Sequence, residues 1–479
     1  MGLSVGIIIF LSVLNIFISP AFAGDITTTN PRTMTFPELR FQIPVAERVL
    51  LECGVPVYLL RDTELPIINM TAMVRVGSVY EPAMQSGLSS MTGSVMRSGG
   101  AGGLAPEKID DELEFMASSV ESGIGSDMGT VSLTTLVKNF SRTLQIFSDV
   151  LLRPDFSDKR IDIARKQAIE GLRRQNDDPK EIAGREIGKA IYAGHPLGAE
   201  VTYASLNSIN RQEMLVYHRR FYRTDNMILA ISGAFDKTAI LKELNAVFGP
   251  SAKNSPLVLP EVPQPELIFK GEVLHGQKDV NQSVIRMGHL GLSKDSPDIY
   301  AVRILDYILG GSFTSRLTME IRTNQGLAYS VGSHFDIGRR FTGSFIAETE
   351  TKAESTVKAI SLMKDIIIGI TKEPVSDQEL NAAREYLINS FMFGFTTPAS
   401  IVTQRARLEY YGYPDGYLER YRDNIAKVTK TDVLNAAQKY LKPDFFKLVV
   451  VGNEAKFDQP LSKLGVVREL DLKVNIPKP

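Results

Sequence analysis

Much of this chain is written twice, and the repetition limits the folds open to it. Ser157-Asp158 recurs 219 positions later as Ser376-Asp377, Ala164-Arg165 as Ala383-Arg384, and Pro179 as Pro398. The register runs on without a gap through Glu213 and Asp432, Leu215 and Leu434, and Asp225 and Asp444, to Gly233 and Gly452. An earlier echo, Val74-Arg75-Val76-Gly77 against Ile285-Arg286-Met287-Gly288, stands at an offset of 211, so loop lengths differ toward the start of each unit. Units of about 200 residues far exceed the 20–50 of a solenoid repeat. The chain is a duplicated domain.

The duplication sets the expected boundaries. The first domain spans 35–248, a linker 249–266, and the second domain 267–470. Pro250, Pro256, Pro260, Pro263 and Pro265 crowd the joint, which predicts a stiff, extended segment setting the distance between the domains. Ile67 to Val76, Met227 to Ile231, Ser344 to Glu348 and Phe446 to Val451 read as strands. Ser376 with Glu379 and Thr429 with Asp432 form capping boxes that open helices. Strands alternate irregularly with long helices and no Gly-rich phosphate loop occurs, which predicts α+β domains of sheet and helices rather than a doubly wound sheet.

Ahead of the first domain, Gly6 to Ile18 is almost wholly apolar, Pro20 breaks the run, and Ala21-Phe22-Ala23 has the small-x-small pattern of a cleavage site. A run of 13 residues is short for a span that needs about 20. Residues 1–23 therefore read as a signal peptide, and the expected address is export to a bacterial periplasm, with no membrane span after cleavage. The formal net charge of -1 in 479 residues excludes the basic face that nucleic acid requires and leaves peptides and proteins as partners. Cys53 is the only cysteine, so no internal disulfide forms. The five histidines, at 195, 218, 275, 289 and 334, show no i, i+4 pairing.

Two stretches carry the functional signal. In Ser86 to Arg97, Leu88, Met91 and Val95 give an apolar helical stripe, with Ser90, Gly93 and Ser94 on the adjoining face. In the second unit, Gly310-Gly311-Ser312-Phe313-Thr314-Ser315-Arg316-Leu317 precedes Glu320-Ile321-Arg322 and Gly326-Leu327-Ala328-Tyr329-Ser330.

Both stretches resemble the pitrilysin/insulinase family of zinc peptidases. There the first stretch reads S-G-L-x-H-x-x-E-H, with two zinc-binding His one helical turn apart and a Glu as general base. On that pattern the first His falls at Ser90, the Glu at Gly93 and the second His at Ser94. The family's third ligand, a Glu 77 positions on, falls at Gly171 beside Glu170. Serine is a poor zinc ligand and glycine is none, so no metal site is expected on these positions. Gly93 within the helix also reads as a residue left behind once the motif lost its use, costing about 1 kcal/mol relative to Ala.

The second stretch matches the family's Arg and Tyr, seven positions apart, at Arg322 and Tyr329. The resemblance implies that they contact substrate and the oxyanion at the scissile carbonyl, a role suited to two fixed donors. It also implies a clam-shell pair of domains around a peptide chamber, with substrate added as a strand to a sheet edge. Ser122, Gly123, Ile124, Gly125 and Ser126 are the expected edge, and Gly310-Gly311 a flexible loop near the chamber. Gly99 to Gly103 reads as a mobile loop, and His195-Pro196-Leu197-Gly198 as a structural turn.

The chain thus resembles the ligand-free partner of bacterial heterodimeric members of the family and of mitochondrial processing peptidase. The expected function is the non-catalytic subunit of an exported heteromeric zinc metalloendopeptidase. It has no cofactor of its own, zinc resides in a homologous partner subunit, and peptides or unfolded proteins are the substrates. The alternative is a homodimeric pseudopeptidase that binds peptides or scaffolds an assembly. An autonomous peptidase with unrecognised ligands would bind stoichiometric zinc and cleave in a chelator-sensitive way.

Overall fold

Two six-stranded sheets carry the chain, one per repeat. The structure, a computed structural model, describes residues 42–249, 257–268, 270–473 and 476. The expected signal peptide, residues 35–41 of the first domain and Pro250 and Pro256 of the linker lie outside the described residues.

The strands are β1 (Glu47–Leu50), β2 (Pro56–Arg61), β3 (Ile67–Val74), β4 (Ser119–Ile124), β5 (Gly129–Leu136) and β6 (Met227–Gly233), then β7 (Glu272–Gln277), β8 (Gln282–Leu290), β9 (Ala328–Phe335), β10 (Ser344–Lys352), β11 (Lys447–Gly452) and β12 (Val467–Glu469). The first sheet has the order β1-β2-β6-β3-β5-β4 and the second β12-β7-β11-β8-β10-β9. Position by position the two sheets repeat, with β6 and β11 parallel to β2 and β7 and antiparallel to β3 and β8. The outermost strand breaks the symmetry: β1 pairs antiparallel with β2, whereas β12 runs parallel to β7.

The helices repeat as well. The first half holds α1 (Leu88–Ser98), α2 (Pro106–Phe115), α3 (Phe140–Leu152), α4 (Asp158–Arg174), α5 (Pro179–Ile191), α6 (Tyr203–Ser208), α7 (Arg211–Phe221) and α8 (Lys237–Phe248). The second holds α9 (Ile299–Leu309), α10 (Thr356–Gly369), α11 (Asp377–Ser390), α12 (Pro398–Tyr410), α13 (Tyr417–Lys427) and α14 (Lys430–Tyr440). Both expected capping boxes are present, Ser376 with Glu379 opening α11 and Thr429 with Asp432 opening α14.

The halves are joined by an exchange of helices. α5, from the first half, packs its Ile182, Ile187 and Ile191 on Leu274, Val284 and Val449 of the second sheet. Its repeat partner α12 packs Val402, Ala406 and Tyr410 on Met73, Ile228 and Ala230 of the first. Each sheet is therefore covered on one face by its own helices and on the other by a borrowed one. That explains why every residue of β6 and β11 is buried and why both read as continuous rather than alternating apolar runs.

Polar contacts reinforce the exchange. Glu409 of α12 accepts two hydrogen bonds from Arg48 (2.7 and 2.8 Å) and one from Tyr58 (2.6 Å). The Tyr410 hydroxyl donates to the Asp127 carbonyl at 2.6 Å. Residues from Ile43 onward form one compact unit. The proline-bearing segment is no spacer in this arrangement: its Leu259 packs on the first core and Leu267 on the α5 cluster, and Gln264 bonds Arg340 and Thr342.

Candidate functional site

The degenerate metal helix is α1. Leu88, Met91 and Val95 turn inward as the apolar spacing requires, at 2%, 4% and 0% exposure. Gly87 caps the helix in the left-handed region (φ 102°), and the Glu81 carboxylate receives the N–H groups of Gly87 (3.0 Å) and Ser89 (2.6 Å). An anion at this terminus offsets unpaired donors and the helix dipole. Burial raises the Glu81 pKa, while these hydrogen bonds act in the opposite direction.

Ser90 and Ser94 are exposed, one turn apart. Gly93 is buried, and the structure corrects its reading as a relic. A Cβ there would lie 2.5 Å from the Ile124 backbone nitrogen and 2.9 Å from the Gly123 carbonyl carbon. The helix is pressed onto β4, and the Ser122 hydroxyl ties it down by donating to the Gly93 carbonyl at 2.7 Å. Glycine is what this approach demands. Helix α4 packs against α1, but Gly171 is exposed and Glu170 is engaged by Arg173 and Arg174 at 3.3 and 2.9 Å. These residues do not fit a zinc ion: two hydroxyls and two glycines replace the donor set, and no side chain for a general base fits at 93.

The expected sheet edge is found in part. Ser122, Gly123 and Ile124 lie on β4, which among the described residues pairs only with β5, at the edge of the first sheet. Gly125 and Ser126 lie beyond the strand, in a turn closed by Gly125 N–H to the Met128 carbonyl (2.8 Å) and already bonded to Ser78 and Val79.

The glycine stretches read as mobile are tied to their surroundings by backbone contacts, though Gly102, Gly103 and Gly311 are exposed. Gly310 sits against β9, where a Cβ would come within 2.1 Å of Ser333 nitrogen, and Gly311 lies close over Asp306 and Tyr307. Gly99 to Gly103 forms a hydrogen-bonded turn held to Arg153, Asp155 and Ser157. His195 accepts from Leu197 N–H and contacts the Pro263 carbonyl at 2.9 Å, which anchors the turn to the inter-half segment.

Arg322 and Tyr329 come together on the second sheet's open edge. Arg322 belongs to a π-helix, Thr318–Asn324, and Tyr329 is the second residue of β9, which among the described residues pairs only with β10. The wide turn and Gly326 (φ 60°) bring the guanidinium to 5.2 Å from the Tyr329 ring centroid. It lies 5.7 Å from the ring of Phe313, a residue the sequence reading gave no role. Tyr329 is 85% exposed and Phe313 81%. Among the described residues Arg322 forms no ion pair, so its charge is held by aromatic faces rather than a carboxylate. β9 occupies in the second sheet the place β4 occupies in the first.

A further cleft, of about 580 Å³, was not foreseen. It is lined by Arg303, Arg339 and Arg407 with Asp336, Tyr413 and Tyr417, at the base of α12 and the loop after β9.

A twice-built sheet-and-helix domain, with the metal positions of its first half emptied of ligands, defines a peptidase-fold protein without the peptidase's metal set. The family profile of the insulinase peptidases (peptidase family M16) matches residues 57–205, and that of the peptidase M16 inactive domain matches 208–387. The chain belongs to this family. Its relatives include the non-peptidase homolog YmxG of Helicobacter pylori, 23% identical over 85% of this chain and 93% of that protein. They also include the uncharacterized zinc protease YmxG of Bacillus subtilis, 21% identical over 76% and 88%. Among solved structures, the peptidase M16 inactive domain from Pseudomonas fluorescens superposes with a TM-score of 0.79 at 24% identity, covering 87% of this chain and all of that one. The periplasmic protease PqqL from Escherichia coli gives 0.72 at 14%, covering 88% and 48%. No helix among the described residues is long and apolar enough to cross a membrane.

Proposed function

We propose that the chain is the non-catalytic subunit of an exported two-chain zinc endopeptidase, paired with a homologous subunit that carries the intact metal motif. Zinc and the general base reside in that partner. This chain supplies Arg322 and Tyr329, two donors for the substrate and for the negative charge that develops on the scissile carbonyl oxygen. The open edge of β4 offers main-chain hydrogen bonds to an extended peptide, with Ser122, Gly123 and Ile124 nearest to it.

The observation that carries the reading is an asymmetry. The ligand positions Ser90, Ser94 and Gly171 and the general-base position Gly93 are all vacated, while a half-buried Arg322 lies against an exposed Tyr329 and, among the described residues, forms no ion pair. A buried pair would have served the core of its own half. A surface pair whose guanidinium is held only by the exposed rings of Tyr329 and Phe313 is available to another molecule.

The test is reconstitution. The purified chain, mixed with an exported homologue bearing H-x-x-E-H, is expected to cleave unfolded peptides that neither cleaves alone. Arg322→Ala is expected to lower turnover of the mixture by about 100-fold or more, the scale for one lost oxyanion donor, with assembly by size-exclusion chromatography unchanged. Full activity with Arg322→Ala and Tyr329→Phe would assign the chain instead to a scaffold or peptide-binding role.

A further inference from the structure

His275 lies on β7 and is almost fully enclosed, at 1% exposure. β12 runs parallel beside it, and its Glu469 stands opposite His275 in the register. The imidazole Nδ1 is 2.9 Å from each Glu469 carboxylate oxygen, and Nε2 is 3.2 Å from the Gly452 carbonyl oxygen at the end of β11. Glu454, two residues further on, completes a cluster. One ring nitrogen and one oxygen from each carboxylate lie within 4.8 Å of one another.

The contacts around the ring pose a chemical problem. A neutral imidazole has a single N–H, yet both of its nitrogens face groups that only accept. An N–H on Nε2 donates to the Gly452 carbonyl, the arrangement by which proteins orient a metal-binding histidine. Nδ1 then faces the Glu469 carboxylate with its lone pair, and a proton or a metal ion must lie between them. A proton would satisfy Glu469 alone, whereas the convergence of Glu454 suits an ion with several ligands.

We propose that His275, Glu454 and Glu469 form a binding site for a divalent transition metal, with zinc the best match to one imidazole and two carboxylates. In a tetrahedral site, ligand atoms about 2.0–2.2 Å from zinc stand about 3.3–3.6 Å from one another. The observed spread, within 4.8 Å, closes when the Glu454 carboxylate moves by about 1 Å toward the Nδ1–Glu469 pair, already 2.9 Å apart. The site is on the second sheet, at the edge opposite β9, and shares no residue with the vacated positions on α1 and α4. It is a clip rather than a reaction centre. The ion would fasten β12 to β7, and with it the following Leu470 and Leu472, which pack in the α5 cluster where Asn176 donates to the Leu472 carbonyl (2.7 Å).

The proposal stands apart from the assignment of Arg322 and Tyr329, and its test needs no activity. The full chain, stripped with a chelator, is titrated with zinc by calorimetry and its thermal midpoint followed. One zinc per chain is expected, with a higher midpoint when bound. Glu469→Gln and Glu454→Gln, which keep shape and remove charge, are each expected to weaken binding at least 10-fold and abolish the shift, while their circular dichroism stays that of the parent. Absence of saturable binding by the parent, or binding that either variant leaves unchanged, overturns the three-ligand site and leaves an imidazolium–carboxylate pair.

Discussion

Gly93 separates two physical effects that point in opposite directions. Helix propensity alone predicts that Gly93→Ala stabilises the chain by about 1 kcal/mol. The packing of α1 on β4 predicts the reverse, because the new carbon meets backbone that cannot rotate away. Denaturant titration is expected to show Gly93→Ala destabilised by about 1–3 kcal/mol, the range for overpacking. The spacing of Leu88, Met91 and Val95 was legible in the sequence because it is local. The tightness at Gly93 was not, since nothing within the helix reports how near another strand will come. Asp306 offers a second test at this scale. Burial pushes its carboxyl up to about 7, against the 3.8 of an exposed aspartate. The folded chain then holds a proton that the unfolded chain releases, and stability falls as pH rises from about 4 to 7, by up to about 1.4 kcal/mol per unit. Asp306→Asn, which preserves an acceptor for the Phe335 N–H, is expected to lose this dependence. Its stability advantage over the parent should widen across that interval and level off above it.

At the scale of elements, short-range pattern made four strands, β3, β6, β10 and β11, and both capping boxes legible in advance. What it could not give was the exchange. α5 and α12 each carry an apolar stripe, and the same stripe would fit either sheet, so only the tertiary structure decides which is covered. The His275 cluster escaped notice for a related reason: its members, at 275, 454 and 469, have no spacing to recognise and meet only when β7, β11 and β12 are aligned. The exchange has a measurable consequence. Ile187→Ala removes a fully buried side chain of α5 from the second sheet, and a loss of about 2–5 kcal/mol is expected. The loss should be read by probes in the second half as much as by probes in the first.

The whole molecule should accordingly melt as one. With each sheet completed by the other half, calorimetry is expected to give a single transition, and either half expressed alone should lack near-UV dichroism. Two separate transitions would show that the borrowed helices are dispensable. Acid should act on the molecule as a unit too. Burial holds His218 and His289 at about 4, below the 6.5 of a free imidazole. Their protonation is favoured only in the unfolded chain, so stability contributed above 6.5 is lost as pH falls from 6.5 to 4. Together with His195, also lowered by burial, these groups outweigh Asp306 and Glu81, which act the other way there, and a net decline is expected. A urea midpoint that stays level between pH 6.5 and 4 would contradict this balance.

The borrowed helices also bear on how such a chain is born. A ribosome delivers residues in order, and domains usually settle as they emerge. Here the first sheet remains bare on one face until α12, near residue 400, has been made. Early collapse of the leading half, which ends at α8 (Phe248), would leave an apolar surface waiting until α12 begins at Pro398. Synthesis must therefore run ahead of folding, and a chain kept loose until α12 (Pro398–Tyr410) arrives is one that chaperones can hold and pass on.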